Sequence, residues 1–232
     1  MKIFAISDLH LSVADEKPMD IFGQTWSDYL QKIKDSWSSC VGNDDIVLLC
    51  GDLSWAMKLE EIGAALELLA EMPGKKIIIR GNHDYWWKSI SSVRAALPQG
   101  CYAIQNDALK IGNVVFCGTR GWSVEENKPL SPEDEKIFQR EGLRFEMSLA
   151  HAKSLAEPCD KIVALLHYPP FNSKRETSLF VELAEKYGVS AVVYGHLHGK
   201  NVNKKLIYQK NGVTYYLTSC DQVDNKLVEI NI

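Results

Sequence analysis

Six short apolar runs are the strongest constraint on this chain, because five of them end at residues capable of holding a metal. The runs are Lys2–Ile6, Ile46–Cys50, Lys76–Ile79, Val114–Cys117, Ile162–Leu166 and Ala191–Tyr194. Each is rich in β-branched residues and lacks polar alternation, which predicts strands covered on both faces. Helical patterns lie between them. Trp26, Tyr29, Leu30, Ile33 and Trp37 follow i, i+3, i+4, i+7 spacing, with Thr25 as the expected N-cap. Leu59 to Met72 reads as a helix closed by Pro73 and Gly74. Ser131 and Pro132, with acids in the first turn, open a long helix to about Leu155 that Gly142 is expected to interrupt. Ser178 to Tyr187 reads as a helix ending at Gly188. Beyond it, Val213–Thr218 and Lys226–Ile230 read as antiparallel edge strands or strands of a second sheet. The alternation predicts a layered α/β domain with helices on its outer faces.

The 232 residues suffice for a full hydrophobic core in one domain. The net charge of -4 argues against a nucleic-acid-binding face spread over the protein. No apolar run reaches membrane-spanning length, and no leader-like segment opens the chain. None of the six cysteines forms a C-x-x-C pair, and Cys50 and Cys117 end apolar runs. These features predict a cytoplasmic protein with reduced thiols and no membrane contact.

Five of the six histidines follow predicted strands or sit in glycine-containing turns. Asp8 and His10 follow the first run, and Gly51 and Asp52 the second. Gly81, Asn82, His83 and Asp84 follow the third, His167 the fifth, and Gly195, His196, Leu197 and His198 the sixth. If the strands are parallel, all five clusters meet at the carboxyl edge of the sheet, where open α/β folds place their sites. Imidazole and carboxylate with one amide suit manganese, iron or zinc. The sixth histidine, His151, lies in the long helix among apolar residues and reads as structural or exposed.

In order, these clusters read D-x-H, G-D, G-N-H-D, H and G-H-x-H, spanning residues 8 to 198. The set resembles the calcineurin-like metallophosphoesterases. That resemblance implies a layered sandwich of two mixed β-sheets flanked by helices. It implies a binuclear centre of two divalent or transition metal ions (Mn, Fe or Zn). Asp8, His10 and His198 would hold one, Asn82, His167 and His196 the other, and Asp52 would bridge them. Such a centre hydrolyses phosphoesters with a metal-bound hydroxide. His83 would protonate the leaving oxygen, and Asp84 would orient His83 or a ligand imidazole. Protein Ser/Thr phosphatases of the superfamily continue the second block as G-D-x-x-D-R-G. Here Leu53, Ser54, Trp55, Ala56 and Met57 follow Asp52. The expected substrate is therefore a small-molecule or cyclic-nucleotide phosphoester. A nuclease and a non-catalytic scaffold are the alternatives, but the chain is acidic and every block is intact.

Residues around the blocks carry further expectations. Trp86, between Tyr85 and Trp87, reads as helix-start packing or as an aromatic wall beside the metals, and Trp55 has the same two readings. Arg120, in the loop Gly118 to Trp122, is a candidate for bidentate phosphate binding. Arg80 reads either that way or as a structural ion pair. Residues 125–158 read as an amphipathic helix packed on the domain, or as a cap over the site. Lys200, Lys204 and Lys205, near Asn201 and Asn203, read as a solvated loop.

Overall fold

The computed structural model describes residues 1–11, 19, 23–199 and 205–232. The expectations for Lys200, Asn201, Asn203 and Lys204 lie outside the described residues. Eleven strands and five α-helices are formed among the described residues. The strands are β1 (Ile3–Ala5), β2 (Ile46–Leu49), β3 (Lys75–Ile78), β4 (Cys101–Ala103), β5 (Ala108–Ile111), β6 (Val114–Thr119), β7 (Lys161–Leu166), β8 (Ala191–Tyr194), β9 (Ile207–Lys210), β10 (Val213–Leu217) and β11 (Val228–Glu229). The helices are α1 (Tyr29–Cys40), α2 (Gly63–Glu71), α3 (Ile90–Ala96), α4 (Pro132–Leu155) and α5 (Leu179–Lys186).

The strands form two mixed sheets, ordered β11-β1-β2-β3-β4 and β5-β6-β7-β8-β10-β9. In the first, β1 to β4 are parallel and β11 runs antiparallel beside β1. In the second, β6, β7, β8 and β10 are parallel, with β5 and β9 as antiparallel edges. The antiparallel strands thus sit only at sheet edges, and the parallel centres point their carboxyl ends the same way within each sheet.

Side-chain alternation divides the core into three layers. Ile3, Ala5, Ile46, Leu48 and Ile77 face Phe116, Val163, Leu165 and Val193 between the sheets. Phe4, Val47, Leu49 and Ile78 face outward against Ile33 and Trp37 of α1 and Leu66 and Leu69 of α2. Val115, Ala164, Leu166 and Val192 face outward against Phe145 and Leu149 of α4 and Phe180 and Val181 of α5. Both strand faces are therefore dry, which is why the strands read as unbroken apolar runs.

The long helix begins as its sequence predicts. Ser131 caps it by accepting a hydrogen bond from the Asp134 amide (3.1 Å), and Pro132 is its first residue. Gly142 does not interrupt it: that residue is buried in mid-helix, where a Cβ would collide with Leu179 of α5. Ser178 caps α5, and Gly188, with φ 69°, follows its end. Two further helix expectations are corrected. Thr25 is not a cap, because Gln24–Trp26 form a separate 3₁₀ turn and α1 starts after Asp28. Leu59 to Met72 is broken into a 3₁₀ turn, Leu59–Glu61, and α2; the Glu61 carboxylate folds back onto the Met57 and Lys58 amides. All six cysteines are unbonded to one another. Among the described residues no helix is long and apolar enough to cross a membrane.

Candidate metal centre

The loops after β1, β2, β3, β7 and β8 gather at one end of the two sheets. The first two run side by side: the amides of Asp8, His10 and Leu11 donate to the carbonyls of Gly51, Asp52 and Leu53 at 2.8–3.0 Å. Asp8, His10, Asp52 and His196 all have left-handed backbones, with φ of 60°, 46°, 51° and 72°. Non-glycine residues pay a steric penalty there, and such strain concentrates at functional sites. Close approach of the loops also dictates two glycines. A Cβ on Gly81 would fall on Asp52, and one on Gly195 would fall on the Asp8 carboxylate.

Two donor groups result. Asp8, His10 and His198 bring ligand atoms within 4.8 Å of one another. His198 faces Asp8 through Nε2 (3.5 Å), while its Nδ1 bonds Asp221 (2.8 Å). In the other group, Asn82 Oδ1 lies 2.6 Å from His167 Nε2 and 2.9 Å from His196 Nδ1. Asp52 stands between the groups, its Oδ2 3.9 Å from His10 Nε2 and 3.5 Å from His167 Nε2. Asp8 also approaches His167, but at Nδ1 (3.9 Å). That nitrogen must carry a proton, because it bonds the Cys50 carbonyl (2.9 Å). Nε2, turned towards Asp52 and Asn82, is therefore the basic atom of this ring.

Charge in the site points to a cation. Asp8, Asp52 and Asp84 are all buried, and among the described residues no Lys or Arg pairs with Asp8 or Asp52. Buried carboxylates need a counter-charge or a proton. Burial, with Asp84 and Asp8 nearby, pushes Asp52 up to about 8. Burial also works to raise Asp8, but the hydrogen bond from His198 and the charges of His167, His198 and His10 hold it at about 2. Burial drives His10 down to about 3 and His196 down to about 4, and lowers His167 as well, so these rings are neutral, each with a ring-nitrogen lone pair to offer a metal. His198 moves up to about 10: burial opposes this, but hydrogen bonds to Asp221 and Asp8 prevail. His10 Nδ1 is buried without a hydrogen-bond partner among the described residues. The neutral rings of His10, His167 and His196, beside a buried Asp52 with no Lys or Arg partner among the described residues, fit a divalent cation in place of the protons that Asp52 and His198 otherwise hold.

The structure corrects the expectation for Asp84 and decides between the alternatives for Trp86 and Arg120. Asp84 touches neither His83 nor a ligand imidazole. Its Oδ2 accepts from the amides of Gly81 (2.7 Å) and Asp52 (2.9 Å). Its Oδ1 accepts from the amides of Leu53 (2.9 Å) and Ser54 (3.4 Å) and from the Trp86 indole (2.9 Å). It fastens the second and third loops together, because the backbone amides converge on it before any ring can. Trp86 is fully buried beneath the site and offers a substrate no surface. Arg120 points its guanidinium over Trp122 (4.7 Å) and towards Glu141, beside the site rather than over it.

Other aromatic rings do reach the site. Trp55 stacks on His10 at 4.6 Å and lies 4.9 Å from His83. Trp26 lies 5.9 Å from His198, and Tyr168 lies 4.1 Å from His196. The His83 ring is otherwise flanked by His10 and Tyr85, and its amide donates to Asp52 (2.7 Å). Sequence reasoning missed Asp221 and Tyr168. The signal for Asp221 was its place after β10, which only the parallel pairing with β8 brings to this edge. His151 is exposed and accepts from the Ala108 amide, away from the site.

Two stacked mixed sheets with buried Asp and His clusters at one end, consistent with a metal site, define the metallophosphoesterase fold. The chain belongs to the calcineurin-like phosphoesterase family, whose profile matches residues 1–200. No curated protein matches it in sequence. Among solved structures it is similar to TT1561 of Thermus thermophilus, at 14% identity and a TM-score of 0.58, covering 99% of this chain and 97% of that one. It is similar to the phosphopantetheinyl hydrolase PptH of Mycobacterium tuberculosis, at 15% identity and a TM-score of 0.55, covering 99% and 95%. A protein of unknown function from Aquifex aeolicus, AQ665, matches at 13% identity and a TM-score of 0.52, covering 98% and 95%. At these identities the likeness is one of fold.

Proposed function

We propose that the protein hydrolyses small-molecule phosphoesters with two metal ions. The observation that carries this reading is Asp52, set between an Asp8–His10–His198 group and an Asn82–His167–His196 group. Those seven residues would hold the metals, and manganese, iron and zinc all suit the donor set. When bound, such ions lower the pKa of water and offset charge on phosphoryl oxygens. The chain's own residues do the rest. The Asp221 carboxylate fixes the His198 tautomer, and the Cys50 carbonyl fixes that of His167, so each presents Nε2. The His83 ring, packed between Trp55 and Tyr85, holds the proton that passes to the leaving oxygen. The free thiols support a reducing, cytoplasmic setting.

The test is to strip the metals, reload with Mn²⁺, Fe²⁺ or Zn²⁺, and assay para-nitrophenyl phosphate and its bis ester alongside metal analysis. Two ions per chain and metal-dependent turnover are expected. His83→Ala should keep both ions and lose about 10²–10⁴-fold in kcat. Asp52→Asn should lose metal. Two bound ions without turnover on any phosphoester would overturn the hydrolytic reading and leave a metal-binding scaffold.

A further inference from the structure

One strand over from the metal site, at the same edge of the sheets, a second polar cavity of about 250 Å³ opens. Arg80 reaches it from the end of β3, Gln105 and Asn106 from beyond β4, Thr119 and Arg120 from the end of β6, and Arg140, Glu141 and Arg144 from α4. Four guanidiniums and a single carboxylate line it, and three of the four lie within 4 Å of that carboxylate. Glu141 is buried, and its own capacity is largely taken: Oε1 accepts from Arg144 (2.6 Å) and Oε2 from the Thr119 hydroxyl (2.9 Å). Arg120 and Arg140 lie 3.8 Å from it, beyond hydrogen-bonding reach. Arg80 Nε is buried with no hydrogen-bond partner among the described residues. A purely structural cluster would match its charges. This one leaves a surplus of cationic donors converging on a space below the ~300–1,000 Å³ of sites for drug-sized ligands.

We propose that this cavity binds a phosphate group of the substrate other than the one hydrolysed, so that preferred substrates carry two phosphates. Guanidinium forks match tetrahedral oxyanions bidentately, which favours phosphate over a neutral group. The cavity is joined to the metal site by its own walls. Arg80 directly precedes Gly81, and the Arg120 carbonyl accepts from the His167 and Tyr168 amides at 3.0 Å. The choice of phosphate rests on the hydrolase reading; the presence of an anion site does not.

The test separates the two. Inorganic phosphate is titrated by calorimetry into the full chain, as isolated and after chelation. One phosphate should still bind after chelation. Arg140→Gln, at a half-exposed side chain whose loss leaves the fold intact, should weaken that binding about tenfold. Glu141→Gln, which removes the competing carboxylate, should tighten it. On the metal-loaded protein, the ratio of kcat/KM for a bisphosphorylated over a singly phosphorylated aryl ester should fall about tenfold in Arg140→Gln. Unchanged phosphate affinity in Arg140→Gln, or no binding after chelation, overturns the proposal whether or not the protein turns over. A chain that binds phosphate here without hydrolysing any ester would sink only the hydrolase reading.

Discussion

Replacing Asp84 with Asn changes one oxygen for an NH₂ group at the point where two site loops are tied. The carboxylate accepts five N–H groups, two on Oδ2 and three on Oδ1. An amide oxygen can serve only one of these sets. Turned either way, the new NH₂ faces at least two buried N–H donors, and those bonds are lost. Hydrogen bonds to a charged acceptor contribute roughly 1.5–3 kcal/mol each, so the gross loss is about 3–6 kcal/mol. Part is recovered, because Asp84 is one of the charges that push Asp52 upward. A net destabilisation of about 2–4 kcal/mol remains. Denaturant unfolding of the metal-free chain at pH 7 measures it, with Trp86→Phe as the control that removes one bond of the five. Metal affinity, read by competition with a chelator, should fall in parallel, since Asp52 and the Gly81–His83 turn lose their tether. A variant within about 1 kcal/mol of the parent, binding metal normally, would refute the reasoning. A changed pH–rate profile with unchanged stability would return Asp84 to orienting His83.

Gly81→Ala drives a methyl group into Asp52, and a destabilisation of about 1–3 kcal/mol with loss of metal binding is expected by calorimetry and metal analysis. Asp221→Ala removes the acceptor that fixes the His198 tautomer; metal affinity should fall about 10–100-fold with the fold intact by circular dichroism. The metal-free chain should lose stability as pH rises from 6.5. His198, raised to about 10, stabilises fully below its unfolded value and loses this as pH climbs towards 10. Asp52, raised to about 8, costs more as pH climbs towards 8. His10 and His196, whose pKa values are lowered, add no slope above 6.5. Melting temperatures at pH 6.5, 8 and 9.5 check the sign, and His198→Gln should flatten the upper part.

The sequence made the site legible where chemistry and secondary structure coincide. Asp8, Asp52, Asn82, His167 and His196 each follow an apolar run, so parallel strands alone bring them to one edge. It failed where a role depends on what arrives from elsewhere in the chain. Asp84 looked like a partner for the neighbouring His83, but backbone amides from residues 52 to 54 claim it. Asp221 lies beyond the recognisable blocks, and the two readings of its strand, an antiparallel edge or a strand of a second sheet, leave open the parallel pairing with β8 that brings it to the site. The arginine cavity draws on four separate segments, and Glu141 reads as an ordinary helical acid until its burial is seen. Strands β4, β5 and β9 went unread because they are short and partly polar, so no continuous apolar run announces them.

The division of the site between the sheets has a kinetic consequence. Asp8, His10, Asp52 and Asn82 come from loops of the first sheet, and His167, His196, His198 and Asp221 from loops of the second. These contacts span most of the chain, and long-range contacts form late in folding. An ion gripped from both sides would act as a clasp across the sandwich, absent from the transition state and present in the native state. Loading should therefore leave the folding rate nearly unchanged and slow unfolding by almost the whole free energy of binding. Longevity of the folded chain in a metal-poor medium would then be set by how fast the clasp opens, rather than by how well the core packs.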